Sequence, residues 1–200
     1  MSDALSIVNE ALLLVGADPI ETFGDDTTEQ KIATRFYERN KKSVLRSYEW
    51  NCAKRRADLT PYVDSLGEPI PPVNGYSHQF NLPKGCIRVL DVFVGDFRPE
   101  ADYNGERAYS IEGKKLLINE ASVSISYTMN IPEAELDAHV EEVIILSLAA
   151  DMCYPLKESN STTQRLKNEF NEVMFEARTT DSLENPATIL RVDGLSRVRY

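Results

Sequence analysis

The chain has 200 residues and a formal net charge of −10, with 42% hydrophobic and 27% charged residues. This length is enough for one substantial hydrophobic core, or for one core with an inserted subdomain. The acidic balance argues against a protein that coats nucleic acid, and three widely spaced cysteines argue against a disulfide framework. The chain opens directly into an amphipathic pattern, so we expect neither a signal peptide nor a membrane span.

Two helices are predicted in the first quarter of the chain. Ser2 is expected to cap the first helix, and Gly16 is expected to end it in a left-handed conformation. Thr27 and Gln30 have the spacing of a capping box, in which each side chain bonds the other residue's backbone N–H. A second helix is therefore predicted to run from this box to about Glu49.

The charge is distributed unevenly along the chain. The stretch from Lys31 to Arg56 holds nine basic and two acidic residues, a net charge of +7, which leaves −17 for the remainder. Asymmetry of this kind suggests separate faces with separate partners. The candidate subunit-interface or DNA-binding residues, called the basic strip below, are Arg35, Arg39, Lys42, Arg46, Lys54, Arg55 and Arg56.

The middle of the chain changes from helical to strand periodicity. Trp50, the only tryptophan, is predicted to be a core anchor because of its size. A proline-rich segment over 60–75 predicts a long extended loop. Strands are predicted over 78–82, 86–94, 107–112, 115–118 and 122–129. In the last of these, one face is expected to be buried and the other to carry hydroxyl groups.

The most apolar stretch runs from Asp137 to Tyr154 and predicts a central helix. Because it is apolar on nearly all sides, we expect other elements or neighbouring subunits to enclose it. Pro155 is expected to end or kink this helix. A second capping box, at Ser161 and Gln164, predicts a fourth helix after it.

The end of the chain loses helical periodicity after Thr179 but stays apolar and basic. Irregular segments of this composition usually dock on another surface. The candidate docking residues are Ile189, Leu190, Arg191, Leu195, Arg197, Val198, Arg199 and Tyr200.

These elements together predict an α+β fold. It consists of an antiparallel four-helix bundle with an inserted small antiparallel β-sheet or partial barrel and an extended C-terminal tail. The predicted divisions are a helical hairpin over 1–56, a proline-rich loop and β insertion over 57–131, a second helix pair over 132–180 and a docking tail over 181–200.

The sequence shows no recognisable catalytic or metal-binding motif. His78 and His139 are the only histidines, and no HExxH, CxxC, GxSxG or glycine-rich phosphate loop occurs. On one helix, His139 and Cys153 would be about 21 Å apart, too far for a nucleophile and its base. We therefore expect no cofactor, no metal and no enzymatic activity. A small enzyme that uses either histidine is the least favoured alternative.

Four sequence stretches occur in a distinctive order: ALLLVGADPI, SYEWNCAKRR, LPKGCIRVLDV and VSISYTMNIPE. In this order of parts the chain resembles the tail adaptor proteins of short-tailed bacteriophages, the tail tubular protein A family. The resemblance covers about Leu5 to Arg178. It implies a helical hairpin and a C-terminal helix pair that bracket a β-rich insertion.

The resemblance also implies a structural role as a head-to-tail connector in the virion, after synthesis in the host cytoplasm. Such proteins form a ring, typically of twelve copies, beneath the portal protein and join it to the tail nozzle protein. DNA leaves through the lumen of the ring without sequence-specific binding, and no membrane is involved. The C-terminal segment would reach the portal, while the β insertion would point to the tail. The alternative from the residues alone is a DNA-binding protein that uses the basic second helix.

Overall fold

The computed structural model describes residues 3–24, 26–73, 75–99 and 108–184. The helices are α1 (Ala4–Val15), α2 (Thr28–Ser47), α3 (Ala138–Lys157) and α4 (Asn160–Leu183). The strands are β1 (Lys54–Asp58), β2 (His78–Asn81), β3 (Cys86–Phe93), β4 (Tyr109–Glu112), β5 (Lys115–Ile118) and β6 (Ser124–Met129). Short 3-10 turns at Asn51–Ala53 and Glu133–Glu135 precede β1 and α3. The fold is therefore α+β, as expected.

The prediction of one small sheet or partial barrel is wrong, because the strands form two three-stranded antiparallel sheets. In the first sheet β6 lies between β1 and β3, and in the second β5 lies between β2 and β4. Strand β1 was not expected, since its sequence KRRAD has no alternation of apolar and polar residues. It forms by pairing with β6, from Lys54 opposite Thr128 to Asp58 opposite Ser124. The partner strand, distant in sequence, supplies the hydrogen bonds that the local pattern does not predict.

The prediction of an antiparallel four-helix bundle is also wrong. Helix α3 packs against α1, α2 and α4, whereas α1 and α2 share few contacts with each other. Within the described residues, α4 packs along α3 and does not pack along α1 or α2. The physical reason is that α3 is apolar on nearly all sides. Each of the other helices can bury its own stripe on α3 without packing on a second neighbour.

Helix α3 is covered by the chain itself. Ten of its residues are buried, including Val143, Ile144, Leu148, Met152 and Cys153 at 0% exposure. Neighbouring subunits are therefore not needed to enclose this helix. The helix also passes Pro155 and ends two residues later, where Glu158 takes a left-handed conformation at φ 51°.

The helix starts differ in detail from the predicted caps. Asp3 caps α1 by accepting from the Ser6 N–H at 2.7 Å. Ser159, rather than Ser161, caps α4 by accepting from the Thr162 N–H at 3.3 Å. The predicted end of α1 is confirmed, because Gly16 has φ 76°.

Half of the capping box at the start of α2 is confirmed. Thr27 accepts from the Gln30 N–H at 3.2 Å. The Gln30 side chain does not reach back as the box requires; it donates to the Phe23 carbonyl and to Thr34 Oγ1. The Gln30 amide thus joins the loop before α2 to the helix, and the Gln30 side chain is buried.

Two hydrophobic cores lie in the two halves of the fold. The helical core contains Trp50, which is 1% exposed, so its prediction as a core anchor is confirmed. The sheet core contains Phe80, Leu116 and Ile125. The hydroxyl face of β6 is buried too, since Ser126 and Thr128 are each 1% exposed. The register places Arg56 and Asp91 beside Ser126, and Lys54 and Arg88 beside Thr128.

Candidate interaction surfaces

The basic strip divides between two elements. Its first four residues lie on α2, as expected, but Lys54, Arg55 and Arg56 lie on β1. On α2, Arg39 binds Asp151 of α3 at 2.7 Å and Lys42 binds Glu38 at 3.0 Å. The strip is thus not one continuous helical surface.

Several other members of the strip are engaged within the chain. Arg46 Nη1 donates to the Ile87 carbonyl of β3 at 2.6 Å, which joins α2 to the first sheet. Arg55 binds Glu135 at 2.6 Å, and Lys54 lies 3.8 Å from Glu49. Within the described ranges, Arg35 and Arg56 are the two strip residues that make neither an ion pair nor a hydrogen bond to a carbonyl, and both are exposed. Most of the positive charge therefore has a partner in its own chain.

A buried lysine that was not singled out from the sequence lies on the inner side of α2. The Lys41 ammonium is 4% exposed and lies 2.7 Å from Glu133 Oε1. Tyr37 donates its hydroxyl to the same oxygen, also at 2.7 Å. Burial raises the pKa of Tyr37, and the nearby Glu133 raises it further, so the phenol stays protonated. Tyr37 and Lys41 are four residues apart on the helix, but nothing local indicates their acidic partner, which comes after β6.

The Glu133 carboxylate is charged in this arrangement. Burial alone raises its pKa, but the hydrogen bonds from Lys41 and Tyr37 lower it by more, so its pKa lies below the usual range. The three side chains fasten the exit of the sheet region to α2. The cluster therefore joins two parts of the fold.

A second polar cluster joins α2 to α3. Asn40 donates to Asp151 Oδ2 at 3.2 Å and accepts from the Ser147 hydroxyl at 2.7 Å. Asp151 also accepts from Arg39, so one carboxylate receives two donors from α2. Asn40 is 4% exposed, and its bonds fix how α2 sits on α3.

The end of α4 is tied to the turn that follows α2. Asp181 accepts from the Asn51 N–H at 2.9 Å, and the Asn51 amide donates to the Asp181 carbonyl at 2.8 Å. Burial raises the pKa of Asp181, and the Asn51 N–H offsets part of that increase. Next to this contact, the rings of Tyr48 and Trp50 meet edge to face at 4.9 Å. The SYEWN segment is therefore a junction between α2, β1 and α4.

Large apolar side chains are exposed in both halves of the fold. Three of them lie on helices and three in the loops around the sheets, and all six are at least 73% exposed. They are Leu13, Phe175 and Leu183 on helices, and Leu66, Val73 and Phe97 in loops. A pocket of about 350 Å³ is lined by Leu13, Ala17 and Pro19 together with Ser6, Asn9 and Glu10. Exposed apolar groups of this size favour contacts with other proteins.

The chemistry that the described residues can support is limited. A hollow of about 510 Å³ on the first sheet is lined by Arg56, Asp58, Phe93, Asp96 and Ser124 among others, and its described lining includes no histidine or cysteine. Among the residues that the structure covers, no group of three or more His, Cys, Asp or Glu is placed to hold a metal ion. No helix within the described ranges is both long enough and apolar enough to cross a membrane.

Two of the thiols, Cys52 and Cys86, have pKa values above the ordinary value. Burial, together with the charge of Asp137, raises the pKa of Cys52 to about 11, although a backbone hydrogen bond opposes this. Burial also raises the pKa of Cys86, against the opposing charge of Arg46. Because thiolate is the reactive form, neither cysteine has the character of a nucleophile at neutral pH.

The candidate docking residues of the C-terminal tail lie outside the described residues. These are Ile189, Leu190, Arg191, Leu195, Arg197, Val198, Arg199 and Tyr200. Helix α4 extends to Leu183, so the first three residues of the predicted tail are helical. No model of a known protein family matches this chain, and no curated protein matches it either.

Proposed function

We propose that the chain is a structural head-to-tail adaptor of a phage virion. In this proposal it forms a ring beneath the portal, joins the portal to the tail nozzle and surrounds the channel through which DNA leaves. The family resemblance supplies the ring of about twelve copies, the two partner proteins and the location. DNA passes through the lumen without being read.

The observation that carries the proposal is the placement of the exposed apolar side chains. Leu13, Phe175 and Leu183 belong to the helical half, whereas Val73 and Phe97 belong to the sheet half. A single exposed leucine is ordinary, but six large apolar groups in two parts of one chain favour two separate contact surfaces. A connector needs two such surfaces, since it must bind different partners at its two ends.

The C-terminal docking segment is tested by truncation. Asp181 holds Asn51, so the cut is best placed after Glu184, which removes residues 185–200 and keeps this contact. We expect the truncated chain to keep its circular dichroism spectrum and melting temperature but to lose binding to the portal protein encoded by the same genome.

The experiment is native mass spectrometry and negative-stain imaging of the full and truncated chains, each with and without that portal protein. Rings on the portal with the full chain alone support the proposal. Equal binding of both chains would show that the tail is not the docking segment. A full chain that never associates with the portal would show that the adaptor function is wrong.

A further inference from the structure

Helix α4 carries an acidic strip that no other part of the described chain neutralises fully. Glu169, Glu172 and Glu176 follow one another with no basic residue on the same face between them. Glu169 pairs with Arg165 at 3.1 Å, while Glu172 and Glu176 make no ion pair within the described ranges. Phe175, 73% exposed, lies between the last two acids.

Helix α2 carries the opposite charge on its own outer side. Arg35 makes no ion pair within the described ranges, Lys42 pairs only with Glu38 on the same helix, and Arg39 remains 64% exposed beside Asp151. The Arg39 guanidinium lies 4.7 Å from the ring centre of Phe36, which is partly exposed. Arg46 is turned toward β3 and takes no part in this surface.

The two surfaces match in spacing when the helices run in opposite directions. Arg35, Arg39 and Lys42 stand at positions i, i+4 and i+7. Glu176, Glu172 and Glu169, taken backwards along the chain, have the same spacing. Each set spans about 10.5 Å along its helix axis. In this register Phe36 and Phe175 lie at the same level but on opposite flanks of the contact, so the match rests on the charged side chains.

This match is not satisfied within one chain. Helices α2 and α4 both pack on α3, and within the described residues they meet only near Tyr48 and Asn51, at their C-terminal ends. The basic surface of α2 and the acidic surface of α4 are therefore both accessible in one chain. A second copy of the chain can supply the oppositely charged surface to each of them.

We infer that the α2 surface of one copy docks antiparallel on the α4 surface of the next. The pairs are Arg35 with Glu176, Arg39 with Glu172 and Lys42 with Glu169. Each copy then uses α2 on one side and α4 on the other, which is a head-to-tail contact, and in the proposed ring its rotation closes. This inference rests on the proposed function for its ring, and adds the surfaces that build it.

The first experiment is a charge exchange in the purified full chain. One variant carries Arg35→Glu and Lys42→Glu, and another carries Glu172→Lys and Glu176→Lys. Each is expected to raise the concentration for half-assembly at least about tenfold, because like charges then face each other. The variant with all four changes restores the pairs and is expected to assemble nearly as the wild type does.

A control variant separates these contacts from net charge. Lys84→Glu with Lys114→Glu, at two exposed residues of the sheet half, shifts the net charge by the same −4 as Arg35→Glu with Lys42→Glu and is expected to leave assembly unchanged. Melting temperatures of all variants show whether a loss of assembly comes from unfolding. The inference is overturned if both charge-reversal variants assemble at the wild-type concentration. It is also overturned if the variant with all four changes is folded but does not regain assembly.

The second experiment fixes the geometry of the contact. Arg35→Cys and Glu176→Cys are introduced together and joined by a short bismaleimide. A head-to-tail contact gives a ladder of covalent products beyond the dimer, whereas a closed two-fold pair stops at the dimer and overturns the inference. The single-cysteine variants, which retain Cys52 and Cys86, are expected to give no ladder.

The two proposals fail separately. Portal-bound rings that form without any cross-link between these positions overturn the α2–α4 contact and leave the adaptor function standing. The opposite outcome is that the chain gives the cross-linked ladder and regains assembly in the variant with all four changes, yet never binds the portal. That result supports the α2–α4 contact and overturns the adaptor function.

Discussion

Lys41 Nζ lies 2.7 Å from Glu133 Oε1, and the two ends of this ion pair differ in exposure. The lysine side chain is 4% exposed, whereas the glutamate side chain is 22% exposed. The pair joins α2 to the 3-10 turn at Glu133–Glu135, which leads from β6 into α3. It therefore stabilises the connection between the sheet half and the helical core.

Removing Glu133 should lower the free energy of unfolding more than removing Lys41. Glu133→Ala leaves a buried ammonium without its acid and is expected to lower the free energy of unfolding by about 3–5 kcal/mol. Lys41→Met keeps the aliphatic stem and leaves a carboxylate that still accepts from Tyr37 and reaches water, so we expect a loss of only about 1–2 kcal/mol. Urea denaturation followed by Trp50 fluorescence measures both.

The exposed pair of Arg55 and Glu135 is the matched control for this comparison. Its side chains are 37% and 50% exposed, so Glu135→Ala is expected to cost less than about 1 kcal/mol. If Lys41→Met proved as damaging as Glu133→Ala, burial of the ammonium would not be the cause of the asymmetry.

Acid should remove the contribution of Glu133 to stability. Its pKa is lowered in the folded chain, because the hydrogen bonds from Lys41 and Tyr37 outweigh the effect of burial. A lowered pKa gives stability that is present above the ordinary carboxyl value of about 4.3 and is lost as the pH falls through the folded value. We therefore expect Glu133→Gln to flatten the fall in unfolding free energy over this acidic range. A profile parallel to that of the wild type would contradict the assignment.

Asp181 should behave in the opposite sense. Burial raises its pKa, so its ionisation opposes folding, and this cost is present above the folded pKa and disappears below the ordinary value. Asp181→Asn keeps an oxygen that accepts from the Asn51 N–H but carries no charge. We expect this variant to be at least as stable as the wild type at neutral pH. In acid, where Asp181 is protonated, its unfolding free energy should not exceed that of the wild type. Asp181→Ala lacks the acceptor and is expected to lose about 1 kcal/mol at both pH values.

Features set by residues close together in sequence were predicted from the sequence, and features set by distant partners were not. The left-handed Gly16, the N-cap at Thr27 and the buried Trp50 depend on local pattern, and each is confirmed. Strand β1 depends on β6, some seventy residues later, and was missed. Apolar stripes showed which face of a helix is buried but not which helix covers it, so the four-helix bundle was wrong.

The same distinction holds for the candidate surfaces. The spacing of Arg35, Arg39 and Lys42 placed them on one side of α2, and they do lie outward there. Their partners were invisible to local pattern, because Asp151 and the Ile87 carbonyl come from other elements. Lys41, which resembles its neighbours in sequence, is buried only because Glu133 compensates its charge.

The end of α1 offers a test of backbone strain with a close control. Gly16 has φ 76°, and a Cβ built there meets no atom within 4 Å, so Gly16→Ala is strained by conformation alone. We expect a loss of about 1 kcal/mol in unfolding free energy. Gly24 lies in the next loop, and its added Cβ would make an ordinary 3.5 Å contact with Thr22 Oγ1. Gly24→Ala should therefore leave the unfolding free energy nearly unchanged. Equal effects at the two glycines would argue against a conformational cause.

Duplex binding against salt tests whether the basic strip serves DNA. Seven cations that each neutralise a phosphate would give a log–log slope of about −6, at roughly −0.9 per phosphate. We expect a much shallower slope, because within the described ranges only Arg35 and Arg56 of the strip make neither an ion pair nor a bond to a carbonyl. Arg35→Ala with Arg56→Ala should then remove most of the remaining slope, while Lys84→Ala with Lys167→Ala, two other exposed cations, should not. A steep slope at moderate salt, lost on changing the strip alone, would favour the DNA-binding alternative over a passive channel wall.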